Sequence, residues 1–176
     1  MLCYKEMKGP ANPGILVISG CHPNHLGHAA ICGLPLMALG GLIFFMAGGP
    51  VAWQSSKQKV VALSSSEAEY IAAPGAACEG VWLARLLAEL IGGAIRAPKL
   101  MVDNKSAIAL MKNPVHHDQS KHIDVKYHFI RECWDRRLID IEFVGTEHQL
   151  GDILTKALGR SRFQELRGEI GMKKLG

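Results

Sequence analysis

The 176 residues carry 20 Lys and Arg against 16 Asp and Glu, a formal charge of +4, and 48% of them are hydrophobic. This is enough chain for one domain with a buried core, or one domain with an appendage, and the mild charge is compatible with a polyanionic partner without demanding one. Five cysteines (Cys3, Cys21, Cys32, Cys78 and Cys133), scattered and without a CxxC pair, argue against a disulfide scaffold and for reduced thiols inside a cell.

Residues 1–41 mix prolines, glycines and short apolar runs without a period of 2 or 3.6, and up to Ser56 the only charges are Lys5, Glu6 and Lys8. From Ala29 to Ala52 no residue is charged, a length able to cross a bilayer. Pro35 and the glycines at 33, 40, 41, 48 and 49 interrupt it and no arginines flank it, so no membrane partner is expected. A secretory signal is a poorer fit, because the apolar run starts late and follows no basic leader. Cys21, His22, His25 and His28 have ligand-like spacing, but no second cluster completes a metal site and they read as a loop.

Leu42–Ala47 (LIFFMA), the turn Gly48-Gly49-Pro50 and Val51–Ser56 (VAWQSS) read as a β-hairpin, followed by the basic corner Lys57-Gln58-Lys59. Ser64, Ser65 and Ser66 before Glu67 and Glu69 form a helix start, because hydroxyls accept from the free N–H groups and acids face the positive end of the helix dipole. That helix is expected from about Ser66 to Leu90, with Trp82, Leu83, Leu86, Leu87 and Leu90 as its core-facing stripe and a kink or break at Pro74-Gly75. Lys99–Val102 (KLMV) reads as a strand. It runs into Asp103, which opens a helical pattern through Ala107–Met111 and is either an N-cap or a site residue, since ligands of α/β sheets gather at strand ends. After the polar loop Asn113–Lys121, His122–Arg137 reads as an amphipathic helix with Ile123, Tyr127, Ile130 and Trp134 on one face. His116, His117, His122 and His128 lack a completing ligand cluster and read as solvated or phosphate-facing. Leu138–Val144 alternates as a half-buried strand. A helix from about Gln149 carries Asp152 in its first turn, and a last helix is marked by Phe163, Leu166 and Ile170.

Glu69, Asp103 and Asp152 thus each lie near the end of a different element. Carboxylates gathered from such distant positions repel one another unless cations sit between them, and hard oxygen ligands select Mg²⁺ or Mn²⁺. A pair of such ions can activate water on one side of a phosphodiester and stabilise the leaving oxygen on the other.

Three long blocks in order, VAWQSSKQKVVALSSSEAEYIAA, VDNKSAIALMKNPVHHDQSKHIDVKYHFIRE and VGTEHQLGDILTKAL, closely resemble the ribonuclease H region at the end of the Pol polyprotein of copia-type LTR retrotransposons. The resemblance covers about Leu42 to Leu175. It implies an α/β fold of the ribonuclease H type, a mixed five-stranded sheet flanked by helices, hydrolysing the RNA strand of an RNA–DNA hybrid with Mg²⁺ (or Mn²⁺) during reverse transcription. It assigns catalytic, metal-binding roles to Glu69 in Ala-Glu-Tyr, Asp103 in Val-Asp-Asn and Asp152 in Gly-Asp-Ile-Leu-Thr-Lys. His148 resembles the mobile histidine of some ribonucleases H in position only, and a solvated loop histidine is the plainer reading. Lys57, Lys59, Lys121, His122 and Lys126 are candidates for nucleic-acid backbone contact, where phosphate pairing gives affinity without reading sequence.

One departure from the family's pattern matters. Its first strand carries an aspartate, in a pattern like Asp-Ala-Asp-Trp, whereas this chain has no aspartate before Asp103. Residues 1–41 are therefore expected to be an unrelated or frame-shifted, poorly structured segment joined to a ribonuclease H-like domain over 42–176, N-terminally truncated, with the first strand missing or replaced. The expected protein is intracellular, cytoplasmic or nuclear, and its ancestral nuclease activity is impaired. The alternative is a non-catalytic domain that binds nucleic acid or a partner.

Overall fold

Leu42, Ile43, Phe44 and Phe45 are apolar at four successive positions, which suits a strand only when both of its faces are covered. All four are buried, at 8%, 2%, 2% and 1% exposure, with Leu42 and Phe44 entering one core and Ile43 and Phe45 another. The computed structural model describes residues 15–23, 38–62, 64–94, 96–112 and 121–172, and for 15–23 and 121–127 the course of the backbone alone.

Five strands form one sheet: β1 (Ile15–Pro23), β2 (Ala38–Met46), β3 (Gly49–Lys57), β4 (Lys99–Val102) and β5 (Asp140–Phe143), in the order β3-β2-β1-β4-β5. β1, β2 and β3 run antiparallel, and β4 and β5 continue the sheet parallel to β1. The expected hairpin is present, but its turn is Ala47-Gly48, at φ 51° and 84°, and Gly49 and Pro50 already belong to β3. Two residues of positive φ match the twist of the flanking strands, and a proline is tolerated on an edge strand such as β3.

Helix α1 (Ser65–Ile91) is capped by Ser64, whose side chain accepts from the Glu67 N–H at 3.1 Å, and it ends at Gly92 with φ 64°. The expected break at Pro74-Gly75 does not occur. The helix passes through Pro74, which is buried beside Ala73, Ala76 and Ala77, while Gly75 faces open space. One lost hydrogen bond, about 3 kcal/mol in an isolated helix, is offset by the packing of the small-residue face on the sheet. That face also corrects the expected stripe. Tyr70, Ala73, Ala76, Ala77, Leu83 and Ala84 make the contact, whereas Trp82, Leu86 and Leu90 are exposed. The helix spans about 40 Å; its buried positions end at Ala84, and residues 85–91 are exposed or half-buried.

Helices α2 (Lys105–Lys112) and α3 (Lys121–Asp135) complete the layer on that face, through Ala107 and Met111 of α2 and Ile130 and Cys133 of α3. Of the expected face of α3, Ile130 is buried and Trp134 packs on the core; the side chains of Ile123 and Tyr127 lie outside the described residues. The opposite face carries the 3-10 helix Leu150–Leu154 and helix α4 (Arg160–Ile170), through Leu150, Leu166 and Ile170. The helix expected from Gln149 is thus a single short 3-10 stretch, preceded by the 3-10 turn Thr146–His148, and Phe163 of α4 faces solvent.

β1 is drawn from the segment set apart in the sequence and lies at the centre of the sheet, where the first strand was expected to be missing or replaced. Its sequence, ILVISGCHP, contains no acidic residue.

Candidate active site

Glu69 lies on the first turns of α1, 4% exposed, and its Oε2 is buried without a hydrogen-bond partner. Burial raises its pKa from an ordinary 4.5 to about 9, helped by the charge and hydrogen-bonding contact of Asp103 and the charge of Asp152, and opposed by Lys156. These three neighbours come from three separate parts of the chain, so α1, the end of β4 and the 3-10 helix converge on one place.

Asp103 directly follows β4. The choice between helix cap and site residue is resolved by its neighbour, because Asn104 Oδ1 accepts from the N–H groups of Ser106 at 3.0 Å and Ala107 at 3.1 Å. Asn104 is therefore the cap of α2, and Asp103 is left free for the site, its Oδ1 buried and unpartnered. Glu69 Oε2 and Asp103 Oδ1 are thus both buried without a partner, and unsatisfied buried carboxylate oxygens, each of which costs free energy, are suited to a hard cation.

Asp152 is 6% exposed, in the 3-10 helix. Buried Gln149 caps this helix by accepting from the Gly151 N–H. Both Asp152 oxygens are engaged by Lys156 Nζ, at 2.8 and 2.9 Å. Lys156 is not among the residues expected at the site, although its signal is present in Asp-Ile-Leu-Thr-Lys: residues four apart in a helical turn are neighbours. Among the described residues, no three His, Cys, Asp or Glu side chains are grouped closely enough to hold a metal ion. Glu69 and Asp103 face each other, and Asp152 is turned to its lysine.

The 3-10 helix is seated on β2 at Gly41. A Cβ there would come within 2.7 Å of Thr155 Cγ2 and 2.9 Å of the Gly151 carbonyl oxygen and Leu154 Cβ. Gly41→Ala is expected to force the Asp152-bearing segment off the sheet and destabilise the chain by about 1–3 kcal/mol, lowering the melting temperature by several degrees. Thermal unfolding followed by circular dichroism checks this, and an unchanged melting temperature refutes the close seating.

The other site candidates are scattered. Lys57, at the end of β3, and Lys59 are exposed. Lys121, His122 and Lys126 lie on α3, their side chains outside the described residues, as are His25, His28, His116 and His117 altogether. His128 is exposed, and His148 is half exposed with Glu147 Oε1 at 4.0 Å.

The sheet order and the helices on its two faces are those of ribonucleases H. The N-terminal RNase H domain of a Mycobacterium tuberculosis protein superposes with a TM-score of 0.54 at 15% identity, covering 89% of this chain and 98% of that one. LC11-RNase H1, solved in complex with an RNA/DNA hybrid, superposes at 0.53 with 13% identity over 80% and 93%. The fold is therefore ribonuclease H-like. In sequence the chain is 42% identical over 132 residues to the retrovirus-related Pol polyprotein from transposon TNT 1-94 of Nicotiana tabacum, which covers 75% of this chain and 10% of that relative. It belongs with the retrovirus-related Pol polyproteins of copia-type transposons and spans about a tenth of the length of such a relative. No protein-family model matches it.

Proposed function

We propose that this chain is the ribonuclease H part of a retrotransposon Pol polyprotein, built to bind an RNA–DNA hybrid and descended from an enzyme that hydrolyses its RNA strand, and that its own cleavage is impaired. The observation that carries this reading is the convergence of Glu69, Asp103 and Asp152 from three elements, with Glu69 Oε2 and Asp103 Oδ1 buried and unpartnered. These residues would hold a divalent cation, Mg²⁺ or Mn²⁺, which when bound supplies charge neutralisation at the scissile phosphate and lowers the pKa of water. Lys57 and Lys59 contribute phosphate pairing at the sheet edge, and Lys121, His122 and Lys126 would extend it along α3.

Impairment is inferred from β1. A strand at the centre of the sheet without a carboxylate supplies no fourth acidic ligand, and the loss of one ligand typically removes orders of magnitude of rate, because ion position sets the reacting geometry. The same observation favours the second reading, a non-catalytic domain that binds nucleic acid or a partner. We place the chain inside the cell, cytoplasmic or nuclear, and assign residues 1–41 an origin foreign to the family outside β1 and the first residues of β2, which they supply.

The test is cleavage of a labelled RNA–DNA hybrid with Mg²⁺ and with Mn²⁺, beside an Asp103→Asn control and a hybrid-binding assay. The expected result is salt-sensitive binding with cleavage orders of magnitude below that of an intact ribonuclease H. Vigorous cleavage abolished by the control refutes the impairment. Neither binding nor cleavage by a folded sample refutes the assignment as a whole.

A further inference from the structure

Asp152 differs from the other two carboxylates of the cluster in having a cationic partner. The ammonium of Lys156 lies 2.8 Å from one of its oxygens and 2.9 Å from the other, and the two side chains are only 24% and 9% exposed. The Lys156 N–H also donates to the Asp152 carbonyl at 2.9 Å, so backbone and side chain both hold the pair in register. Glu69 Oε2 and Asp103 Oδ1, by contrast, have no partner. The positive charge of Lys156 also acts on Glu69, lowering its pKa against the burial that raises it.

We propose that Lys156 is a resident counter-ion of this cluster: in the metal-free chain its ammonium neutralises Asp152 and holds it away from Glu69 and Asp103, and a divalent cation binds by displacing it. The inference rests on reading the three carboxylates as a metal site. It accounts for a feature that reading leaves unexplained, that three converging carboxylates form no closed ligand set. An ammonium is a compact, strongly hydrated point charge on a flexible stem, able to leave one carboxylate for water or for a phosphate oxygen at modest cost. A cation of the Mg²⁺ type requires its oxygens at about 2.1 Å, and an ammonium that engages both Asp152 oxygens competes with it for them. Lys156 is thus a positioning residue: it keeps the metal-free cluster from repelling itself and sets a threshold for cation binding.

The primary test is calorimetric titration of the full chain with Mn²⁺, comparing the parent with Lys156→Met, which keeps length and removes charge, and Lys156→Arg, which keeps charge. Lys156→Met is expected to bind Mn²⁺ about tenfold more tightly while melting at a lower temperature without metal, and Lys156→Arg to stay within about threefold of the parent. A purely structural lysine would give the lower melting temperature without tighter binding. Should Lys156→Met fail to fold, amine-reactive labelling of the parent, read by mass spectrometry, still decides: modification of Lys156 is expected to rise several-fold on adding Mg²⁺. Equal affinities in parent and variant, or labelling that does not rise, overturn the counter-ion role and leave the metal site standing. No Mn²⁺ binding by any folded form overturns the metal site and the counter-ion together.

Discussion

Replacing Gly20 with aspartate is expected to raise Mg²⁺-dependent cleavage of an RNA–DNA hybrid by at least about a hundredfold over the parent chain. The position follows from the register of β1. Ser19 pairs with Val102, so the next residue, Gly20, stands beside Asp103 at the end of β4. On its other side Gly20 pairs with Gly41, the residue on which the Asp152-bearing segment is seated. Position 20 therefore lies between the strand that ends in Asp103 and the strand that seats the Asp152-bearing segment, in a central strand that now offers no acid. Gly20→Asn is the control, because it adds the same volume without the charge. Gain with aspartate and none with asparagine means that the missing acid limits the parent. Equal, low activity in both folded variants would mean that the site lacks more than a ligand, and the reading as a non-catalytic binding domain would replace the impaired nuclease.

How far this site could be read from the sequence differs from residue to residue. The hairpin, the start of α1 at the serine triplet and the strand Lys99–Val102 follow from local patterns, apolar runs between turn residues and hydroxyls before acids; the structure has the helix start and that strand where those patterns put them, and the hairpin with a longer first strand and an earlier turn. β1 was not legible. Ile15–Pro23 has no clear period and no neighbours of regular pattern, and it is a strand because of pairings with β2 and β4, the second reaching more than eighty residues along the chain, about which local sequence says nothing. Helix α1 misled for a related reason. Its large apolar side chains and its alanines occupy different faces, and the sheet selected the small residues, which let the backbone come close, over the bulky ones near the helix end. At the site, the carboxylates could be named but not their states. That Asn104 and not Asp103 caps α2, and that Asp152 is held by Lys156, depend on side-chain geometry that spacing alone leaves open.

In a chelating buffer the stability of the chain is expected to fall as pH rises from about 5 to about 9, and Glu69→Gln is expected to remove most of that slope. The sign follows from proton binding. Glu69 titrates near 4.5 when the chain is unfolded and near 9 when it is folded, because burial and the negative charges of Asp103 and Asp152 disfavour its ionised form. Between those values the folded state holds a proton that the unfolded state has released, so each step up in pH favours unfolding. The contribution is intact below the lower pKa, is lost progressively across the window, and levels off above the upper one. Glutamine has nearly the same shape and stays neutral throughout. At pH 8 the variant is therefore expected to melt higher than the parent, by roughly 5 °C or more. Other groups titrate in both chains, so the difference between the two melting curves isolates Glu69, and a difference that stays constant from about pH 5 to about pH 9 would sink the prediction. Mg²⁺ is expected to reverse the order, stabilising the parent by binding its ionised glutamate and doing little for the variant. A residue whose removal stabilises the metal-free chain and abolishes the gain from metal is one kept for the ion it binds and not for the fold it burdens.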